Sequence, residues 1–271
     1  MSEDAAVSDV AVKEPQRTRW FERAAVRWIA LVGLVVGAAP PSLEAAEERV
    51  PVVDLHVDLP YRSGYKSTPF AEGSGEFRAS DLERGGLFGV VLPLFVPRDA
   101  PPDGRTRAEF EASYTRVFSG ILATRPYSLP GCGVKRAAGE ARSVTTWLSF
   151  EGAEPLEVTE KEVDRWILRG VRLFGLVHAQ HNSLATSSGE AANGKGLSAR
   201  GEKLARLVAT RGGILDVTHA SDEATDDLLR LGRELGRPVV ASHSNARALA
   251  AHPRNLTDDQ IRAIAASGLW M

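Results

Sequence analysis

Val52-Val53-Asp54-Leu55-His56-Val57-Asp58 carries an apolar strand directly into two metal-binding side-chain types. Side chains along a strand alternate with a period of two, so His56 and Asp58 fall on one face. An imidazole and a carboxylate placed this way suit a single divalent cation. Far along the chain, Ser242-His243-Ser244 follows a second apolar run, Pro238–Ala241. Functional groups at the carboxyl ends of strands are the arrangement of a (β/α) barrel, whose chemistry sits on that rim.

Between these two points, four further apolar runs read as buried parallel strands. The full set is Val50–Leu55, Gly89–Phe95, Val144–Phe150, Val171–Val177, Gly213–Val217 and Pro238–Ala241. Helical patterns separate them. Thr159 and Glu162 predict a capping box ahead of Val163, Trp166 and Ile167, with Gly170 as the stop. Leu204, Leu207 and Val208 mark a second helix, and Ala224, Leu228, Leu231 and Leu235 a third, closed by Gly236. Thr257 and Gln260 cap a last helix carrying Ile261 and Ile264. Strand–helix alternation predicts an α/β fold with helices outside a parallel sheet. A doubly wound open sheet is the rival, and the sequence contains no G-x-G-x-x-G or Walker loop to favour it. The proline-rich stretch from Pro93 to Pro102 reads as an irregular loop on the active rim.

The chain's 271 residues, 43% of them hydrophobic, can bury one substantial core. With 33 basic and 35 acidic residues, a net charge of −2 gives no polyanion-binding signature and argues against nucleic acid. A single cysteine, Cys132, excludes an intramolecular disulfide and a cysteine-rich zinc cluster, and reads as a small filler. Any metal centre therefore draws on the six histidines and the carboxylates.

Residues 1–48 read as an N-terminal extension and 49–271 as the barrel domain. Arg17, Arg19, Arg23 and Arg27 precede an apolar run from Trp28 to Ala39, followed by Pro40-Pro41 and a small-residue patch ending at Ala45-Ala46. That order resembles an export signal, and the run is short for a membrane span. Glu3, Asp4, Glu14 and Glu22 depart from the usual basic start. The expectation is an exported protein, periplasmic or extracellular, or one associated with a membrane through this segment.

Six polar groups end or follow the strands: His56 and Asp58, then Glu151, His178, His219 and His243. Imidazoles and carboxylates in these numbers are the inventory of a two-metal site with a bridging glutamate.

Asp54-Leu55-His56-Val57-Asp58-Leu59-Pro60 resembles the opening motif of the renal (membrane) dipeptidase family of zinc metallopeptidases. The similarity continues through Phe150-Glu151-Gly152, Gly170-Val171-Arg172, Leu176-Val177-His178 and Asn182. It persists in Gly196-Leu197-Ser198, Asp216-Val217-Thr218-His219, Ser242-His243-Ser244-Asn245-Ala246-Arg247 and Arg254-Asn255-Leu256-Thr257-Asp258-Asp259. The resemblance implies a binuclear centre on a (β/α)8 barrel that hydrolyses dipeptides. His56 and Asp58 would hold one zinc ion and His219 and His243 the other, with Glu151 bridging the two. A hydroxide between the ions would attack the scissile carbonyl, and His178 would donate to the resulting oxyanion. Arg254 would pair with the free carboxylate of the dipeptide. His181 matches no ligand position, His252 and Arg247 read as shaping the loop after the sixth strand, and Asp54 is placed to orient His56.

Six strands are legible where the resemblance implies eight, and Gly268-Leu269-Trp270-Met271 reads as the opening of a seventh. The aspartate that the family's eighth strand supplies as a proton shuttle has no counterpart, so the expectation is an incomplete barrel with impaired hydrolysis. Two alternatives stand beside it: a non-catalytic metal-binding fragment, and another amidohydrolase-like hydrolase such as a lactonase. The Ser242–Asn245 run and Arg254 weigh against the lactonase. A homodimer remains open.

Overall fold

Most strands form where the apolar runs are continuous, because a parallel strand covered on both faces has no polar face to present; the first run, read as buried, is instead exposed at Val52, Val53 and Asp54, where it ends the sheet order. The computed structural model describes residues 52–70, 77–78, 81, 85–99, 106–124, 127–129 and 144–268. In it β1 is Val52–Asp54, β2 Leu87–Leu94, β3 Tyr127–Ser128, β4 Val144–Glu151, β5 Val171–Gly175, β6 Ile214–Asp216 and β7 Val239–Val240. The helices are α1 (Leu59–Tyr65), α2 (Arg107–Ala123), α3 (Glu160–Leu168), α4 (Ala199–Arg211), α5 (Asp222–Leu235) and α6 (Asp258–Ala266). The export-like segment Arg17–Ala46, Cys132 and Leu269–Met271 lie outside the described residues. Among the described residues no helix is long and apolar enough to cross a membrane.

Every ladder is parallel, in the order β1-β2-β4-β5-β6-β7, and β3 pairs with the first two residues of β4. Along β2 the period of two sorts side chains cleanly: Val90, Leu92 and Leu94 enter the main core, while Val91 joins Leu173 and Val240 in a small cluster with Leu55, Trp147 and Ile214. The sheet curls strongly. His56, just past the first strand in the path, and His243, just past the last, bring their rings to 3.7 Å between centroids. The architecture is an open, curled portion of a (β/α) barrel.

Helix ends follow local chemistry. Thr257 and Gln260 form the expected reciprocal capping box, and Gly236 stops α5 at φ 59°, where a side chain would be strained. The box expected at Thr159 is half made. Thr159 accepts from the Glu162 N–H at 3.2 Å, but the Glu162 carboxylate turns to Arg107 at 2.7 Å and Trp166 Nε1 at 2.9 Å. A charged partner from α2 outcompetes the backbone amide at the helix start. Pro93 also corrects an expectation, since it lies within β2 rather than in a loop. The β1–β2 pairing ends at Val90, so β2 is an edge where the proline lacks its N–H.

Candidate metal centre

One register row sets the site. Glu151 pairs with Gly175, Gly175 with Asp216, and Asp216 with Val240 across β4 to β7. Glu151 stands on this row, and His178, His219 and His243 each lie three residues beyond it. Equal offsets from one row deliver the three imidazoles to the same height above the carboxyl rim. His56 arrives from the far side because the sheet curls.

The donors converge on one atom. Glu151 Oε1 lies 2.9 Å from His219 Nε2, 3.5 Å from His178 Nε2, 3.5 Å from His243 Nε2 and 3.7 Å from His56 Nε2. His56 Nε2 is 3.4 Å from Asp58 Oδ1, and the Nε2 atoms of His219 and His243 are 3.1 Å apart. A carboxylate oxygen cannot hydrogen-bond four ring nitrogens at once, whereas donors about 2.0–2.1 Å from a tetrahedral zinc lie about 3.4 Å from one another. The spacing and chemistry of the donor set therefore fit divalent cations. By proximity the donors group as His56–Glu151–His243 and Glu151–His178–His219. The 3.1 Å contact joins His219 to His243 as the resemblance implies. His178 stands as near Glu151 as His243 does, so its separate role rests on the resemblance.

Burial pushes the Glu151 carboxyl up, and hydrogen bonds from His219 and His243, with His56 and His178 beside it, outweigh burial and hold it well below the usual carboxylate range. Burial lowers His219, with Arg254 adding to the effect against the raising influence of Glu151. Burial also acts to lower His56, but Asp58 and Glu151 raise it above its ordinary value. Asp58 is lowered chiefly by its bond to His56. His219 is further marked by a φ of 70°, a left-handed conformation costing a non-glycine residue about 1–2 kcal/mol. The Ser188 N–H holds it there, donating to the His219 carbonyl at 2.9 Å.

Arg254 donates to Ser244 Oγ at 2.9 Å and borders a cleft of about 380 Å3 shared with the imidazoles, Asp58 and Glu151. Two further lining residues were not legible as site residues. Phe95 places its ring 4.5 Å from that of His178, and Tyr61 stands edge-on to Phe95 at 5.6 Å. An aromatic next to a proline or a strand end reads as packing, and only the signal that both flank the rim could have pointed to them. Asp54 accepts the His56 backbone N–H at 3.0 Å, so it orients the turn. His181 accepts the Ser187 N–H at 2.9 Å and organises its own loop. His252 accepts from the Arg254 N–H at 3.1 Å, and Arg247 bridges Asp222 to the Asn255 carbonyl.

Fold and site together define an α/β protein built on part of a (β/α) barrel, with an imidazole–carboxylate cluster on its carboxyl rim. The chain belongs to the membrane dipeptidase family (peptidase family M19), whose sequence profile matches residues 42–270. It is similar to an uncharacterized protein in the PQQ-III 3' region of Acinetobacter calcoaceticus, 33% identical over 125 residues, which are 43% of this chain and 38% of that protein. A stretch of 90 residues is 39% identical to dipeptidase tcpJ of Claviceps purpurea, covering 33% of this chain and 20% of the other. The solved structure of the probable dipeptidase PvdM from Pseudomonas aeruginosa superposes with a TM-score of 0.64 at 29% identity, over 82% of this chain and 59% of that one. The matched part of the chain thus spans under half the length of these two curated relatives.

Proposed function

We propose that the cluster holds two zinc ions and that the protein hydrolyses dipeptides. The observation that carries the proposal is the convergence of four imidazole Nε2 atoms within 3.7 Å of one buried carboxylate oxygen, Glu151 Oε1. His56, Asp58 and Glu151 would hold one ion, and Glu151, His219 and His243 the other. When bound, the ions would act as Lewis acids that make water nucleophilic near neutral pH and polarise the peptide carbonyl.

The remaining work falls to side chains of the cleft. Arg254 has five N–H donors in a planar fork; with Nη1 on Ser244 Oγ, the fork is anchored to meet a terminal carboxylate. Burial keeps its proton affinity below the ordinary arginine value, yet the group stays charged. His178, whose ring is tilted against that of Phe95 at 4.5 Å, would donate to the oxygen on which negative charge develops. The rings of Tyr61 and Phe95 line the cleft beside these groups. Membership of the dipeptidase family and similarity to proteins named as dipeptidases support the reading. We also propose that Arg17–Ala46 directs export.

The test uses a free dipeptide and the same dipeptide amidated at its carboxyl end. Hydrolysis of the free form should stop on chelation and return with zinc, and the amide should be cleaved about 10–100-fold more slowly, as expected for losing a charge-assisted contact worth about 1.5–3 kcal/mol. Equal rates with and without chelator, or equal rates for the two peptides, would contradict the proposal.

A further inference from the structure

The loop between β5 and α4 turns back on itself, and at Ser187 it bridges to Ala220 in the turn after β6. Ser187 is fully buried, and its hydroxyl donates to the His178 carbonyl. Its N–H donates to His181 Nδ1 at 2.9 Å, and its Oγ accepts from the Gly189 N–H at 3.0 Å. The next residue, Ser188, donates to the His219 carbonyl twice, from its N–H at 2.9 Å and from Oγ at 3.2 Å. Adjacent residues therefore grip the backbone of two site histidines that follow different strands.

Two grips one residue apart leave little slack, because consecutive Cα atoms are fixed about 3.8 Å apart. The hold on His219 acts at a residue whose φ of 70° persists only with support from its surroundings. A further bond, from the Ser221 N–H to the Thr186 carbonyl at 3.0 Å, ties the same two turns. Gly189 keeps the segment close: a Cβ there would run into the Ala179 carbonyl, and any larger residue would push the loop off the turn after β5. Within this frame the His178 ring stands 4.4 Å from that of His219 and 4.5 Å from that of Phe95, centroid to centroid.

We infer that Ser187 and Ser188 are positioning residues that lock the turn carrying His178 to the turn carrying His219, and so place the proposed oxyanion donor beside the metal centre. The inference rests on the roles proposed for those two histidines, and it assigns a task to residues that do not border the cleft. A purely structural role would stabilise the loop without fixing how the two rings meet.

Ring-to-ring proton contacts in the metal-free 271-residue chain, read by nuclear Overhauser NMR, test the geometry, and kcat and KM for a free dipeptide with zinc present test its consequence. The wild type should show the His178–His219 contact and slow exchange of the Ser188 amide. Ser187→Ala should weaken that contact and leave the His219–His243 contact, 5.0 Å between centroids, in place. It should lower kcat by about 10–100-fold with KM and zinc content unchanged, since a small misplacement costs the chemical step and not ground-state binding. Ser198→Ala is the comparison. It removes a hydroxyl that donates to the Ser183 carbonyl in the same loop and caps α4 at the Gly201 N–H, so it should destabilise the fold yet keep the contact and kcat of the wild type. A freely exchanging Ser188 amide, a wild type without the His178–His219 contact, or equal falls in kcat for the two variants overturns the inference. So does a Ser187→Ala chain with the contact and kcat of the wild type. If the wild type cleaves no dipeptide, the hydrolase proposal is what falls, and the ring contacts and amide exchange still decide the positioning role.

Discussion

Replacing Gly175 with alanine adds one methyl group where β5 meets the end of β4. The new Cβ would lie 2.9 Å from the Phe150 carbonyl oxygen and 3.9 Å from Glu151 Cα. An ordinary carbon–oxygen contact is about 3.3–3.6 Å, so the strands must part by about 0.4–0.7 Å. The obstacle is backbone, which cannot rotate aside as a side chain would. Overpacking of this kind costs about 1–3 kcal/mol, equivalent to a fall in Tm of about 2–12 °C for a domain of this size. The same displacement reaches Glu151, which is the register partner of Gly175. Metal ligation tolerates shifts of only about 0.2 Å, so zinc affinity should fall by about tenfold or more. Gly120→Ala is the control: its Cβ would meet the Phe70 ring at 2.6 Å, on α2 and away from the register row that sets the site. Thermal unfolding should show both variants destabilised, and a zinc-competition titration should show only Gly175→Ala impaired. Wild-type zinc affinity in Gly175→Ala, or equal losses in the two variants, would refute the claim that the β4–β5 contact sets the centre.

Two further outcomes are expected. Glu111 joins α2 to α3 by accepting from Arg169 at 2.6 Å and from Arg165; burial pushes its carboxyl up, and the two guanidinium bonds outweigh that and hold it low. A folded value below the unfolded value of about 4.3 means stability that is present above that pH and lost as pH falls through the folded value. Glu111→Gln should therefore cost about 1–2 kcal/mol at pH 7, and the cost should begin to shrink as pH falls below about 4.3 and disappear once it passes below the folded value; a cost that stays constant through acidification would contradict the assignment. A reporter fused after Glu48 should leave the cytoplasm only while Trp28–Ala39 is apolar. Unchanged location after Val32→Asp and Leu34→Asp would reduce the segment to an extension.

Most strand positions were legible because a parallel strand buried on both faces cannot hide among polar residues, and Val144–Phe150 came through nearly residue for residue; β1 proved exposed along its length, and β3, two residues long, carried no such run. The six rim groups were legible because each follows such a run. Helix α2 carried signals that went unused: Thr106 three residues before Glu109, then Phe110, Val117 and Ile121 on one face. Pro93 misled because proline marks loops in sequence, and only the early end of the β1 pairing makes it harmless in β2. Glu162 misled because its competing partner, Arg107, is 55 residues distant. The same limit applies at Ser188. Its link to His219 spans 31 residues and exists only once β5 and β6 lie side by side. Tyr61 and Phe95 meet at the rim through the return of β2 beside β1, which no local pattern encodes.

In the proposed centre Glu151 bridges two metal ions held by His56, Asp58, His219 and His243. The most direct test of that bridge is the zinc content of the purified chain beside that of Glu151→Gln, measured by elemental analysis after equal exposure to zinc. A neutral amide bridges two cations poorly. Two zinc ions per chain are expected in the wild type, and a loss of more than one in the variant. Zinc content unchanged by Glu151→Gln, or a wild type that retains none, would contradict the proposal.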